Sequence, residues 1–490
     1  MIHSSHARRV ARCSLGALAF LVALTPAPSR AEERAMTLEE VVETALTHNP
    51  DMTSARDEVA AAIAGQRAMR GNFGPKLRAE ANVMRWDKKL DFAFEFPPGS
   101  LPFEIDIPPM TVRDPTTTQI SLTFIQPVGA LWGIYEGYKV KELGVDVARV
   151  RRESARRNTA FQATESFYRV LQTMRLADVA RLSVESLEAQ VTRARSFYKH
   201  GLVNHNDLLR AELGLAAARQ RHIQAKGTVT LAQGKLALTM GIEPDVLVVP
   251  KGAPDDAPPA ETMAIGEAER RALQSRVEIR EIDAVIRQAD RGVRYARSKM
   301  LPSVNLLANY QHNTGSTFSP KDSGWVGVFL QWDFWEWGAT YYGIGEAQAR
   351  QRQALAARAK VRDGLRLDAR AAWITQATAA EALAVAKGAV ASAEENFRLE
   401  TRRYEAHTNT SFDVIDAESQ LTQARATMLT ALYDYTIARA NLGRAIGDDI
   451  VGSRARPARR DAPRDTRDTK DTKDAKDAKD ARSEGSHAAR

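Results

Sequence analysis

The sequence holds a single cysteine, Cys13. That residue falls in an N-terminal stretch that reads as a secretory leader: Arg8, Arg9 and Arg12 precede the apolar run Cys13–Leu24, and Ser29-Arg30-Ala31 forms a small-x-small cleavage site. A chain cleaved after Ala31 has no thiol, which excludes a disulfide framework and cysteine chemistry. Arg12 directly before Cys13, with no apolar run upstream, argues against a lipid-anchored cysteine. After the leader no run reaches 18 apolar residues, so no membrane-spanning helix is expected. Mean hydropathy is −0.37. There is no Gly-x-x-x-x-Gly-Lys-Ser/Thr loop, Gly-x-Ser-x-Gly elbow or His-Glu-x-x-His pair. No carboxylates stand as an isolated pair, and the 11 methionines do not cluster for a soft metal. The expectation is therefore no enzyme, no cofactor and no metal. The net charge of +8 is spread along helical segments without an interleaved aromatic stripe, so nucleic acid is not an expected partner.

What is present is a duplication. Tyr198, Asp207, Ala211, Glu212 and Gly241 recur 206 positions later as Tyr404, Asp413, Ala417, Glu418 and Gly447. Such a repeat outranks any local reading. After each polar break a heptad follows. In the second copy Val414, Leu421, Met428, Tyr435 and Leu442 alternate with Ala417, Ala424, Ala431, Ala438 and Ala445. In the first, Leu208, Leu215, His222, Val229 and Leu236 alternate with Ala211, Ala218, Ala225, Ala232 and Thr239. Alternating large and small seam residues predict closely packed antiparallel coiled-coil hairpins. His222 reads as packed or paired within its seam.

Earlier in each half the period changes. Thr37 and Glu40 frame a capping box for a helix that ends near His48-Asn49-Pro50; a second helix runs from Asp51 to Arg70, stopped by Gly71 and Pro75. Leu77, Ala79, Ala81 and Val83 then alternate with Lys76, Arg78, Glu80 and Asn82, and Ile120, Leu122 and Phe124 alternate with polar neighbours. A loop rich in proline and phenylalanine, Lys88 to about Pro115, separates these two strands. In the second half Pro302 matches Pro75 at an offset of 227, whereas Phe329 and Trp337 match Phe124 and Trp132 at 205; the first hairpin loop is thus about 22 residues longer. The last strand, expected over Trp325–Trp332, is ambiguous, because Val326, Val328 and Leu330 compete with Trp325 and Phe329 for the apolar face. The helical regions Tyr135–His200 and Tyr341–Ala406 would each span roughly 100 Å. The organisation expected is a leader (1–31), a first structural repeat (32–247), a Pro- and Asp-rich linker (248–260), a second repeat (261–450) and a charged tail (451–490). That tail repeats Asp-Thr-Lys and Asp-Ala-Lys and reads as disordered.

Four half-apolar strands of about ten residues have the length of tilted membrane strands. They cannot close a barrel alone, and lipid forbids open edges, so other copies must complete them; three copies supply twelve strands. Trp132, Trp332, Trp335 and Trp337 gather at strand ends, as an interfacial belt would.

The duplicated order of helices, two strands, long helix, turn and helix resembles the TolC-type outer-membrane efflux proteins, the outer membrane factor family. The marks are Leu38 through Asn49-Pro50, Gln126-Pro127, Gly201-Leu202-Val203 followed by Asp207, Asp413-Val414-Ile415-Asp416-Ala417, and Leu442–Gly447. The resemblance covers about Thr37 to Gly447. It implies a mainly α fold with membrane β: a homotrimer whose twelve-stranded β-barrel, four strands per chain, sits in the outer membrane and continues as a long periplasmic α-helical coiled-coil barrel. It implies a passive exit duct of a tripartite efflux or type I secretion system. The partners would be outer-membrane lipid, a periplasmic adaptor (membrane fusion protein), and an inner-membrane pump or ABC transporter. Docking would use the tips Gly201, Leu202, Val203, His407 and Thr408.

The resemblance also implies a periplasmic gate of Tyr404, Asn409, Asp413, Asp416 and Asp207. In the family an arginine stands five residues after the tyrosine; here that place is Asn409, which predicts a weakened latch. Asp413, Asp416, Gln420, Gln423, Thr427, Thr430 and Asp434 form a helical stripe without lysine or arginine. Such a stripe suits a lumen with rings of carboxylates, whose mutual repulsion would raise their pKa. His200, His205 and His407 beside the turns leave open a metal site or pH switch against the plainer reading of solvated turn residues. The alternative function is a periplasmic structural coiled-coil scaffold.

Overall fold

The computed structural model describes residues 34–93, 108–252 and 263–448. The expected leader, most of the linker and the charged tail lie outside them.

Strand β1 (Arg34–Met36) leads into α1 (Leu38–His48) and α2 (Pro50–Gly71). The expected capping box is present: Glu40 N–H donates to Thr37 Oγ1 at 3.4 Å and Thr37 N–H donates to Glu40 Oε2 at 2.8 Å. Asn49 caps α2 by accepting from the Asp51 amide at 2.7 Å, and its own amide group donates to the Thr239 carbonyl at 2.8 Å. Strands β2 (Lys76–Arg85), β3 (Leu90–Phe92) and β4 (Met110–Pro127) follow, then the long α3 (Leu131–Lys199) and α4 (His205–Met240). Strand β5 (Val248–Pro250) pairs in parallel with β1, so the first three residues of the expected linker are ordered strand. The second half repeats the order with α5 (Ile265–Ser275), α6 (Val277–Ser298), β6 (Ser303–Ser316), β7 (Asp322–Gln331), α7 (Ala339–Glu405) and α8 (Ser411–Ile446).

One glycine ends the second helix of each hairpin. Gly241 and Gly447 take φ of +72° and +84°. A Cβ on Gly241 would lie 2.4 Å from the His48 carbonyl oxygen, and one on Gly447 would lie 2.7 Å from Cβ of Ser275. Both positions need the left-handed region and close backbone approach, which only glycine combines at low cost.

The heptads become buried seams. Leu187, Val191 and Ala194 of α3 pack on Leu208, Ala211, Leu215 and Ala218 of α4. In the second hairpin Leu383 packs on Leu432 and Tyr435. A larger core joins Val41, Val42 and Ala45 of α1 to Ala160, Phe167 and Val170 of α3, Leu236 and Met240 of α4, and Tyr433 of α8. Helix α3 packs against α4 and α8, and α7 against α8, which leaves α4 and α7 on the flanks. Those flanks carry exposed Leu213, Ile223, Leu231 and Leu238 on α4 and Leu367 and Val385 on α7.

The sheet runs β2-β4-β6-β7, antiparallel throughout, with β3 as a short addition on the outer part of β4. Two expectations are corrected. The proline-rich loop is shorter than Lys88–Pro115, because Leu90–Phe92 pairs with Met110–Arg113. Pro115 does not break β4; it sits in the register shift between Arg113 and Thr118, where a bulge tolerates a residue without N–H. The last strand is Asp322–Gln331 rather than Trp325–Trp332.

Register also decides which face is apolar. Ala79 faces Leu122, which faces Tyr310; Phe124 faces Ala308, which faces Val326. Leu306 faces Val328 and Val304 faces Leu330. Directly opposed residues share a face. Leu77, Ala79, Ala81, Val83, Ile120, Leu122, Phe124, Val326, Val328 and Leu330 therefore form one apolar surface. Trp325 and Phe329 lie on the other, opposite Asn309 and Asn305 of β6, with Leu307 and Ile125 between them and Gln311, Ser121 and Gln119 farther along.

Candidate functional site

The two helical turns lie side by side. In the first, Gly201 takes φ of +73°, and Leu202 N–H reaches back to the Phe197 carbonyl at 2.9 Å. In the second, His407 holds the equivalent left-handed position at φ +56°, and Thr408 N–H donates to the Arg403 carbonyl at 2.9 Å. A non-glycine residue there carries strain. The His407 ring lies edge-on to Phe197 with centroids 4.7 Å apart, a contact between the hairpins that offsets it. Leu202, Thr408 and His407 are exposed and Val203 is half-buried.

Just above the turns sits a buried polar cluster. Asp207, in the first turn of α4, is 7% exposed; Tyr404 is 1% and Ser411 0% exposed. Tyr404 OH donates to Asp207 Oδ2 at 3.1 Å. Ser411 donates twice to the same carboxylate, its amide to Oδ1 at 2.8 Å and its hydroxyl lying 2.7 Å from Oδ2. The Ser411 and Tyr404 hydroxyls are also 2.9 Å apart. Burial, then the Asp207 charge, pushes the Tyr404 phenol up, so it stays a neutral donor. One carboxylate of the first hairpin thus bridges the end of α7 and the start of α8. Farther from the turns, a Cβ on Gly214 would lie 3.1 Å from the Ile415 side chain, so the hairpins also touch directly there.

The other residues expected at this site stand apart from the cluster. Asn409 donates to the Glu400 carbonyl at 3.1 Å and to Glu400 Oε2 at 2.6 Å, both within its own hairpin. Asp413 is a helix cap: its Oδ2 accepts from the Thr410 amide at 2.9 Å and the Thr410 hydroxyl at 2.8 Å. Those donors hold the Asp413 carboxyl below the usual range, the reverse within one chain of the raised value expected from the stripe. Asp416 accepts from Gln420 at 2.7 Å and Gln423 donates to Thr427 at 3.3 Å, along the face expected. The stripe is not free of cations, because Arg169 of α3 reaches Asp434 at 2.7 Å. Spacing along α8 could not reveal a guanidinium arriving from another helix.

Of the turn histidines, His200 Nδ1 lies 2.8 Å from the Ser196 carbonyl and His205 stacks on Tyr198 with centroids 5.2 Å apart. Among the described residues no three His, Cys, Asp or Glu side chains converge as metal ligands. His222 is half-buried in its seam, and its Nδ1 has no hydrogen-bond partner there. Ser411 is the residue that sequence reasoning missed; its small polar side chain directly after the Thr410 cap was the available signal.

The profile of the outer membrane efflux protein family matches residues 41–242 and 269–448. The chain belongs to that family. It is 22% identical to the outer membrane efflux protein BepC of Brucella suis over 323 residues, covering 64% of this chain and 70% of BepC. Its fold is that of the CmeC outer membrane channel of Campylobacter jejuni, with a TM-score of 0.69 and 16% identity over 84% of this chain and 85% of CmeC. It matches the outer membrane protein VceC of Vibrio cholerae at a TM-score of 0.67 and 17% identity over 84% of this chain and 96% of VceC. As an outer membrane efflux protein it resides in the outer membrane, its helices extending into the periplasm.

Proposed function

We propose that three copies of this chain form a passive outer-membrane exit duct, which an inner-membrane pump and a periplasmic adaptor open and feed. The observation that carries this reading is the sheet. Its apolar face is largely exposed, with Leu77 72%, Val83 70%, Val326 75% and Val328 71% accessible, and its two edges, β2 and β7, are unpaired among the described residues. Such a face is stable only in lipid, where every strand edge must be closed. Three four-stranded sheets joined edge to edge make a twelve-stranded barrel with the apolar face outward. The exposed leucines flanking α4 and α7 supply the matching contacts below. A periplasmic scaffold would leave this surface in water.

The duplicated halves support a wall of six similar units around the axis. Element lengths match in pairs: 11 and 11 residues for α1 and α5, 22 and 22 for α2 and α6, 69 and 67 for α3 and α7, 36 and 36 for α4 and α8. The duct performs no bond chemistry. The tips carrying Gly201, Leu202, Val203, His407 and Thr408 face the adaptor. Tyr404, Asp207 and Ser411 tie the two hairpins in the resting entrance, with Asp413 and Asp416 on its polar lining and Asn409 bracing the second turn. Insertion of the purified chain into a planar bilayer tests the reading: discrete, uniform current steps are expected. A protein that is released from membranes by carbonate and carries no current would contradict it.

A further inference from the structure

The geometry points to a stacking site for planar aromatic cations on the polar face of the sheet, built by Trp325 and Phe329 of β7. This inference rests on the duct reading, which makes that face the lumen wall.

Most of that face is a ladder of hydrogen-bonding groups. Asn309 donates to Thr123 Oγ1 at 2.8 Å, and Gln119 Nε2 lies 3.3 Å from Gln311 Oε1. Within this wall Trp325 and Phe329 stand as a pair, ring centroids 5.3 Å apart and planes tilted by 52°. They are 44% and 47% exposed. Gly327 separates them on the strand, and a Cβ there would press to 3.1 Å from the Phe329 ring. A side chain at 327 would push the Phe329 ring aside, so the glycine leaves that ring its place on the wall. The pair gains nothing from lipid, since register turns it away from the apolar face. Among the described residues its tilted rings leave half their surface uncovered, as a transient binding surface does.

The choice of a planar cation comes from the same face. Farther along it, Trp86 donates its indole N–H to Thr117 at 3.1 Å, and the Arg113 guanidinium lies 3.6 Å from the ring centroid of Trp86. The wall thus already holds one flat cation against an indole by the attraction of positive charge to a ring face. Trp325 offers a second indole on that face, beside Phe329. Threefold symmetry would give three such pairs around the lumen. Each contact is weak enough to release its cargo, as conduction requires.

The test uses the full chain in planar bilayers with ethidium as the probe, each channel's block being referred to its own open current. For the parent, ethidium is expected to produce resolved current interruptions. In the Trp325→Leu/Phe329→Leu double variant, which keeps apolar bulk but removes both ring faces, their dwell time should fall about tenfold. Phe329→Leu alone, which keeps the indole, should fall between. Trp335→Leu, in the segment after the strand, should behave as the parent. Equal dwell times in parent and double variant would overturn the site. A parent that inserts but carries no current contradicts the duct reading instead. Equilibrium binding of ethidium to purified parent and double variant then tests the rings directly, with equal binding again overturning the site.

Discussion

Ser411 and Asp207, 204 residues apart in sequence, are joined by two hydrogen bonds in a site from which water is excluded. The Ser411 hydroxyl and amide, with Tyr404 OH, satisfy a buried carboxylate that has no ion-pair partner among the described residues. Asn409 stands where the family resemblance implies an arginine; beside it, the two hairpins are hydrogen-bonded to each other through Asp207. On the proposed reading, in which this cluster is part of the latch, a neutral serine makes that link inside one chain. Ser411→Ala leaves Asp207 one donor short, a loss of about 1–3 kcal/mol in the closed arrangement. The open probability of single channels in bilayers should rise in that variant, with conductance per opening unchanged. Equal open probabilities would remove Ser411 from the latch.

The Thr410–Asp413 capping box ties the start of α8. Asp413 has its pKa lowered by the Thr410 amide and hydroxyl. A carboxyl lowered in the folded state stabilises at pH values above its unfolded value of about 3.9, and that contribution is lost as pH falls through the folded value. Asp413→Ala should therefore weaken hydrogen-exchange protection of the first turn of α8 at pH 7, by about 0.5–1 kcal/mol for an exposed cap. Well below a pH of about 3.9, once the folded-state carboxyl is also protonated, the difference from the parent should shrink toward zero. A difference that persists unchanged in acid would assign the effect to packing.

Arg169 supplies a positive charge to a face otherwise lined by Asp416, Gln420, Gln423, Thr427 and Thr430. With the duct reading, Asp413 and Asp416 form carboxylate rings that favour cations. The Asp413→Asn/Asp416→Asn double variant should lose cation selectivity, read as reversal potential under a salt gradient. Arg169→Gln, which frees Asp434, should shift it the opposite way. Reversal potentials unchanged in both would place these side chains away from the pore axis.

Ala308 lies in β6, between β4 and β7, so its backbone is committed to the ladder. Proline there removes a hydrogen-bond donor with no water to replace it, at a cost of several kcal/mol, on the order of 2–7. Ala308→Pro should abolish the assembled form on native gels. Val83→Pro, in β2 at the open edge, should do so too if that edge pairs with another copy. Parent-like assembly of both variants would remove the barrel.

How far sequence carried the fold depended on how local each cause was. The α1 cap, the Asn49-Pro50 joint and the heptads from Val414 and Leu208 rest on spacing along one helix, and all were legible. So was the face of β2, because Leu77, Ala79, Ala81 and Val83 alternate with polar residues. β7 was not, because it carries large apolar residues on both faces, and only pairing with β6 sets Val326 apart from Trp325. Pro115 read as a loop because the bulge that accommodates it is a property of two strands together. The site divided in the same way. Tyr404 and Asp207 were legible as repeat and family positions, whereas Ser411 and Arg169 act across hairpins and leave no periodic trace.

The central claim is that the open sheet of one chain is closed by two others. Native mass spectrometry of the protein extracted from outer membranes in mild detergent tests it most directly. The account expects a particle of three chains that persists without added partners. A monodisperse single chain, folded and still carrying its long helices, would contradict it.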